Sequence, residues 1–141
     1  MGEVKTKVRL VNSTDYTLSK RGVLPVENVR VVEIEALVDT GAVNCVLPPF
    51  VADQLGLMRL YRQVAQYANG AQEEVDVTEP ILIEIQGRKT AEDCLVLGDE
   101  VLIGQTALEK MDLHVDCRNK RVIPNPDHPN QPVVRIRSLS H

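Results

Sequence analysis

The stretch Ala36-Leu37-Val38-Asp39-Thr40-Gly41-Ala42 decides how this chain is read. An apolar run leads directly into an aspartate. A carboxylate at the end of an apolar strand must be hydrogen-bonded, exposed in a cleft, or shifted in pKa, because burying it unpaired is costly. Gly41 lets the backbone turn tightly and approach a neighbour. Thr40 supplies a hydroxyl that can fix the loop or bond across to a partner chain. Asp and Gly are also common turn residues, so the triplet alone is compatible with a plain turn.

Working outward, residues 29–38 read as a strand that becomes wholly apolar towards Val38, which predicts a buried end. Residues 3–11 alternate Val4, Thr6, Val8 and Leu10 with Lys5, Lys7 and Arg9, the pattern of a half-exposed strand. Residues 12–15 read as a turn cluster, and the polar stretch 19–22 as a loop or hairpin tip. Downstream, Pro48-Pro49 opens a short helix over 50–55, closed by Gly56. Asn69-Gly70 lies between strand-like runs at 58–67 and 73–78, a strong hairpin signal. Residues 81–85 and 94–97 read as strands, with 86–89 turning the chain between them. Residues 101–103 form a strand ending at Gly104, and 105–111 a short helix. Residues 113–123 read as strand–turn–strand with its tip at 118–120. Four prolines within 124–132 make that segment an extended connector, and 133–137 regain strand character. The sum is an all-β domain with one or two short helices. The domain is expected over residues 1–123, with 124–141 as a connector and terminal strand or tail.

Composition sets the outer bounds. A chain of 141 residues supports one domain and one core. Its 21 valines and 7 isoleucines suit pleated, half-buried surfaces. A hydrophobic content of 43% is too high for a disordered chain. No run of about 18 apolar residues is present, so no membrane span is expected. Residues 1–11 lack a signal-peptide core, which makes the cytoplasm the expected location. The net charge of −4, the shortness of every basic run and the four aromatics (Tyr16, Phe50, Tyr61, Tyr67) argue against nucleic-acid binding. Cys45, Cys94 and Cys117 lie far apart, as do His114, His128 and His141. No metal-ligand spacing results, and reduced, mostly buried thiols are expected. No metal or cofactor is expected.

Context then raises the weight of the Asp39 loop. It is followed by Asn44-Cys45-Val46-Leu47-Pro48, and later by Val101-Leu102-Ile103-Gly104-Gln105-Thr106-Ala107-Leu108, an apolar-apolar-Gly turn opening a short helix. Between them lies the hairpin Tyr67-Ala68-Asn69-Gly70. In this order the three features resemble the active-site loop, second motif and substrate-covering flap of the aspartic proteases. The resemblance covers roughly residues 29–123 and is closest to the retropepsins, the single-domain retroviral-type proteases.

That resemblance implies a closed, barrel-like acid-protease fold and peptide-bond hydrolysis. It makes Asp39 the catalytic residue, Thr40, Gly41 and Ala42 its loop, and Leu102, Ile103 and Gly104 the second motif. Tyr67, Ala68, Asn69 and Gly70 become the flap, with Tyr67 the side chain expected to touch an extended peptide substrate. Hydrolysis by this route needs two carboxyl groups sharing one proton, one activating water and the other protonating the substrate carbonyl. Pepsin-like relatives carry two Asp-Thr-Gly copies, whereas this chain has one. The implied partner is therefore a second copy of itself around a two-fold axis, with Thr40 bracing the two loops.

Several positions depart from the family pattern. Val43 and Gln105 stand where retroviral enzymes carry a paired Asp and Arg. Their joint loss leaves neither charge unpaired. Cys45 stands where Ser or Thr is usual, read as a small core residue, with a redox role as the alternative. Ala42 lacks the hydroxyl that many acid-active relatives aim at the carboxylate, which predicts an optimum at mildly acidic to near-neutral pH. Residues 133–137 are a candidate interchain strand carried on the 124–132 arm, or else a disordered tail. Two other readings stay open from sequence alone. One is a non-catalytic dimerisation or peptide-binding module of the same fold. The other is an unrelated β-barrel in which Asp39 is a turn residue.

Overall fold

The structure, a computed structural model, describes residues 3–136. The alternating amino-terminal segment forms β1 (Val4–Asn12), with Val4, Val8 and Leu10 buried and Lys5, Lys7 and Arg9 exposed or nearly so. α1 (Ser13–Lys20) follows at once, where the sequence suggested a turn cluster and a loop. Asn12 makes the difference. Its side-chain oxygen accepts from Asp15 N (2.9 Å) and caps the helix, while its amide donates to Leu55 O (2.7 Å). A short 3₁₀ turn (Val26–Asn28) leads into β2 (Val31–Val38), antiparallel to β1 from Val4↔Val38 to Val11↔Val31.

After the Asp39 loop come β3 (Cys45–Leu47) and α2 (Pro49–Gln54). Gly56, at φ +62°, ends α2 under the Arg30 guanidinium; a Cβ there would lie 1.7 Å from an Arg30 nitrogen. β4 (Arg59–Gln66) and β5 (Gln72–Thr78) form the expected hairpin. β6 (Ile81–Ile85) then turns through Gln86-Gly87, both at positive φ, into β7 (Arg88–Glu92), whose first two residues fall within the turn expected over 86–89. β8 (Cys94–Val96), β9 (Leu102–Ile103), α3 (Gln105–Met111), β10 (Leu113–Asp116) and β11 (Arg121–Pro124) complete the chain. The described residues thus hold three short α-helices, not one or two.

Nine strands form one sheet in the order β4-β5-β8-β3-β9-β2-β1-β6-β7, and β10 and β11 pair separately. The fold is mostly β, but among the described residues no pairing joins β4 to β7. The sheet is not closed into the expected barrel. Its core gathers Leu10, Leu47, Leu55, Ile81, Ile83 and Ile103, among others, with α2 and α3 packed in through Val51, Leu108 and Met111.

The carboxy-terminal segment also departs from expectation. Residues 133–136 form no strand, and Arg137 lies outside the described residues, as does His141. The proline-rich connector is pinned rather than free. Arg88, only 6% exposed, donates to the carbonyls of Met111 (3.3 Å) and Asp112 (2.7 Å) at the end of α3, and to His128 O (2.5 Å). A cation there suits the negative end of a helix. Asp112 in turn accepts from Asn125 Nδ2 (2.9 Å) and Val133 N (3.0 Å) and contacts His128 Nδ1 (2.6 Å). These contacts hold the Asp112 carboxyl down at about 2, the Asn125 amide contributing most.

Candidate active site

Asp39 is the first residue past β2. The parallel pairing of β2 with β9, Leu37 beside Leu102 and Val38 beside Ile103, brings the ends of both strands to one place. Two loops leave from there, 39–42 and the turn at Gly104. Main-chain bonds lock them together: Leu37 N donates to Val101 O (2.8 Å), Asp39 N to Ile103 O (3.0 Å) and Gln105 N to Ala42 O (2.7 Å). The second motif therefore touches the Asp39 loop directly, through backbone atoms that no side-chain pattern reveals.

Within the loop, Asp39 Oδ1 accepts from Gly41 N (2.8 Å), and Ala42 N donates to Asp39 O (3.2 Å). This Asx turn spends one carboxylate oxygen on orientation. Among the described residues, no hydrogen bond engages Oδ2. Asp39 and Ala42 are half-buried, and Thr40 and Gly41 are exposed. The loop thus presents a carboxylate fixed through one oxygen beside an exposed Thr40. A Cβ at Gly41 would lie 3.2 Å from Asp39 Oδ1 and crowd the turn. Gly104 is tighter still: a Cβ there would lie 2.5 Å from Asn44 O and 2.7 Å from Val43 O. Asn44 supplies this contact through its carbonyl, so nothing in its side chain signals the role.

The hairpin tip takes the geometry expected of Asn-Gly. Gly70 has φ +87°, Tyr67 N donates to Ala71 O (2.8 Å), and Asn69 Oδ1 accepts from Ala71 N (2.9 Å). Tyr67 is 41% exposed, and its hydroxyl donates to Glu73, which raises its pKa. Ala68 is exposed. The hairpin sits at the sheet's β4 end, joined to the site through β5, β8, β3 and β9. None of the hydrogen bonds among the described residues ties Tyr67, Ala68, Asn69 or Gly70 to the Asp39 loop.

The departures from the retroviral pattern settle without charge. Val43 is 68% exposed, while Gln105 Nε2 donates to Glu109 Oε1 (3.1 Å). Cys45 is buried, and burial pushes its thiol up to about 11 against the opposing Gly104 N–H. Cys94, beside it in register on β8, is buried, and burial raises its thiol as well. Neither is a thiolate at neutral pH, which favours the core reading of Cys45. Cys117 is exposed. Among the described residues, no three His, Cys, Asp or Glu side chains are grouped to hold a metal ion.

The comparisons with known proteins agree with this geometry. A structure described as "EIAV protease complexed with the inhibitor HBY-793" matches with a TM-score of 0.51 at 22% identity, covering 76% of this chain and 86% of that one. That likeness speaks for the fold: mostly β and retropepsin-like. No curated protein matches. The family described as "gag-polyprotein putative aspartyl protease" matches residues 28–110, more than half of the chain and both locked loops. The reading of the chain as an unrelated β-barrel is thereby overturned, and the chain belongs to this retropepsin-like aspartic protease family.

Proposed function

We propose that this protein is an aspartic endopeptidase, active as a homodimer in which each chain contributes one Asp39. The observation that carries this reading is the loop itself. Asp39 is oriented by Gly41 N through one oxygen, leaves the other unengaged among the described residues, and is braced from behind by Ile103. One such loop per chain is half of what the chemistry needs.

Two copies around a two-fold axis would set two carboxyls face to face. Carboxylates about 3 Å apart cannot both ionise comfortably, so the pair holds one proton between them. The ionised partner takes a proton from water as that water attacks the peptide carbonyl. The protonated partner donates to the carbonyl oxygen. Exposed Thr40 would bond across the axis, and the β4–β5 hairpin is the element that would close over an extended peptide. The peptide would bind as an added strand.

Cleavage of a peptide library, lost in Asp39→Asn and blocked by a pepstatin-type inhibitor, tests the reading. A folded dimer that cleaves nothing would instead favour a peptide-binding module. Cleavage that survives Asp39→Asn would overturn the assignment of the residue.

A further inference from the structure

If the β4–β5 hairpin closes over an extended peptide, its strand register decides which side chains that peptide meets. Residues directly opposed in an antiparallel pair share a face. Gln63 opposes Val75 and Ala65 opposes Glu73, whereas Arg62 opposes Asp76 and Val64 opposes Glu74. Val75 and Val77 are buried, so their face is the one turned towards the body of the protein. Beyond Val75 this inner face runs clear of the body: Gln63 and Glu73 are exposed and Ala65 is half-buried. Tyr67 belongs to it as well, because its hydroxyl donates to Glu73.

Charge divides unevenly between the two faces. On the outer one Arg62 approaches both Glu74 (3.6 Å) and Asp76 (3.3 Å), so those acids share a cation. On the inner one Glu73 is the one charged residue beside Gln63, Ala65, Tyr67 and Val75. Among the described residues it enters no ion pair, and its one hydrogen-bond partner is the neutral Tyr67 hydroxyl. A carboxylate held by a single donor keeps lone pairs free for a cation. Closure of the hairpin would take Glu73 out of bulk water, where an unmatched charge is costly and a matched one is strengthened. A lysine or arginine of the bound peptide is the group that matches it.

We propose that Glu73 is a specificity-determining residue, selecting peptides that place Lys or Arg beneath the inner face of the hairpin. In a two-fold dimer each copy brings its own Glu73, so the preference falls at matched positions on either side of the cleaved bond. The proposal rests on the homodimeric peptidase reading, and the experiment separates the two. Mass spectrometry of a peptide library cleaved by the wild type should show Lys or Arg enriched at those positions. For one such peptide and its counterpart with norleucine in place of lysine, the ratio of kcat/KM should fall about fivefold in Glu73→Gln, the worth of one ion pair. Glu73→Lys should favour Glu at the same position instead. Damage to the hairpin alone would slow both peptides together and leave the ratio where it was. A ratio unchanged in Glu73→Gln, or a library with no basic preference whose cleavage still needs Asp39, overturns the proposal while the peptidase reading stands. If the wild type cleaves nothing, both fall.

Discussion

Gly104 and Asn44 are in backbone contact: a Cβ on Gly104 would fall 2.5 Å from the Asn44 carbonyl oxygen. This contact joins the second motif to the loop that carries Asp39, and backbone atoms on both sides leave no flexible group to give way. Gly104→Ala is therefore expected to cost about 3 kcal/mol, the upper end for overpacking. Cleavage should fall further than stability accounts for, because the displaced loop holds the carboxylate. Urea melts and turnover at a temperature where the variant is fully folded separate the two effects. A variant of wild-type stability would refute the contact's importance.

Asp15 and Arg30 tie α1 to the strand that leads to the site. Arg30 gives Asp15 a backbone N–H (3.0 Å) and two guanidinium donors (2.8 and 3.0 Å), and Asp15 is buried. The guanidinium holds the Asp15 carboxyl below its usual range. Asp15→Ala strands these donors and should destabilise by about 2 kcal/mol. The figure is kept low because Arg30 is half exposed and can recover water. A chemical-denaturation midpoint equal to that of the wild type would contradict it.

The same pair shows why part of the fold was not legible in the sequence. β1, β2, the Asn69-Gly70 hairpin, α2 and α3 each announce themselves locally, through alternation, an Asn-Gly turn, Pro49 with Gly56, and Gly104. The Asp39 loop was legible for the same reason, and its likeness to a known family came from contiguous motifs. α1 was hidden because its cap, Asn12, and its anchor, Asp15, are explained only by Leu55 and Arg30, distant in sequence. β7 was hidden because its sequence, Arg-Lys-Thr-Ala-Glu, has polar ends. It is held by register with β6 and by the burial of Arg88 on carbonyls from α3. The terminal segment Val133 to Ile136 reads as a strand by composition, yet Asp112 captures its first amide.

The thiols should separate cleanly by reactivity. Burial raises Cys45 to about 11 and raises Cys94 as well, while Cys117 is exposed. Alkylation by iodoacetamide at pH 8 should label Cys117 first, with Cys45 and Cys94 reacting only after unfolding, as peptide mass spectrometry would read. Native labelling of Cys45 ahead of Cys117 would revive the redox reading.

Asp112 predicts an acid sensitivity of the carboxy-terminal clasp. Its carboxyl lies at about 2 in the folded chain, against an ordinary value near 4. Between these values the unfolded chain binds more protons than the folded one. The stabilising contribution is therefore complete above about pH 4 and is lost as pH falls towards 2. Melting temperatures of wild type and Asp112→Asn should differ at neutral pH and converge in strong acid. Exchange of the Val133 amide should quicken over the same window. A gap that widens as pH falls would reverse the assignment.

The loop's own chemistry gives the last test. Ala42 is half-buried one residue past Gly41, and the Asp39 carboxylate has an oxygen that no described donor engages. A hydroxyl at position 42 would add a donor that prefers the charged carboxylate, and a donor to the charged form makes ionisation easier. Ala42→Ser should move the acidic limb of the cleavage profile to lower pH. Serine adds a single oxygen to a residue whose backbone bonds, to Asp39 and Gln105, do not involve the side chain. Folding should therefore be preserved. A limb that stays in place in the serine variant, with cleavage intact, would mean that position 42 does not set the acidic limb.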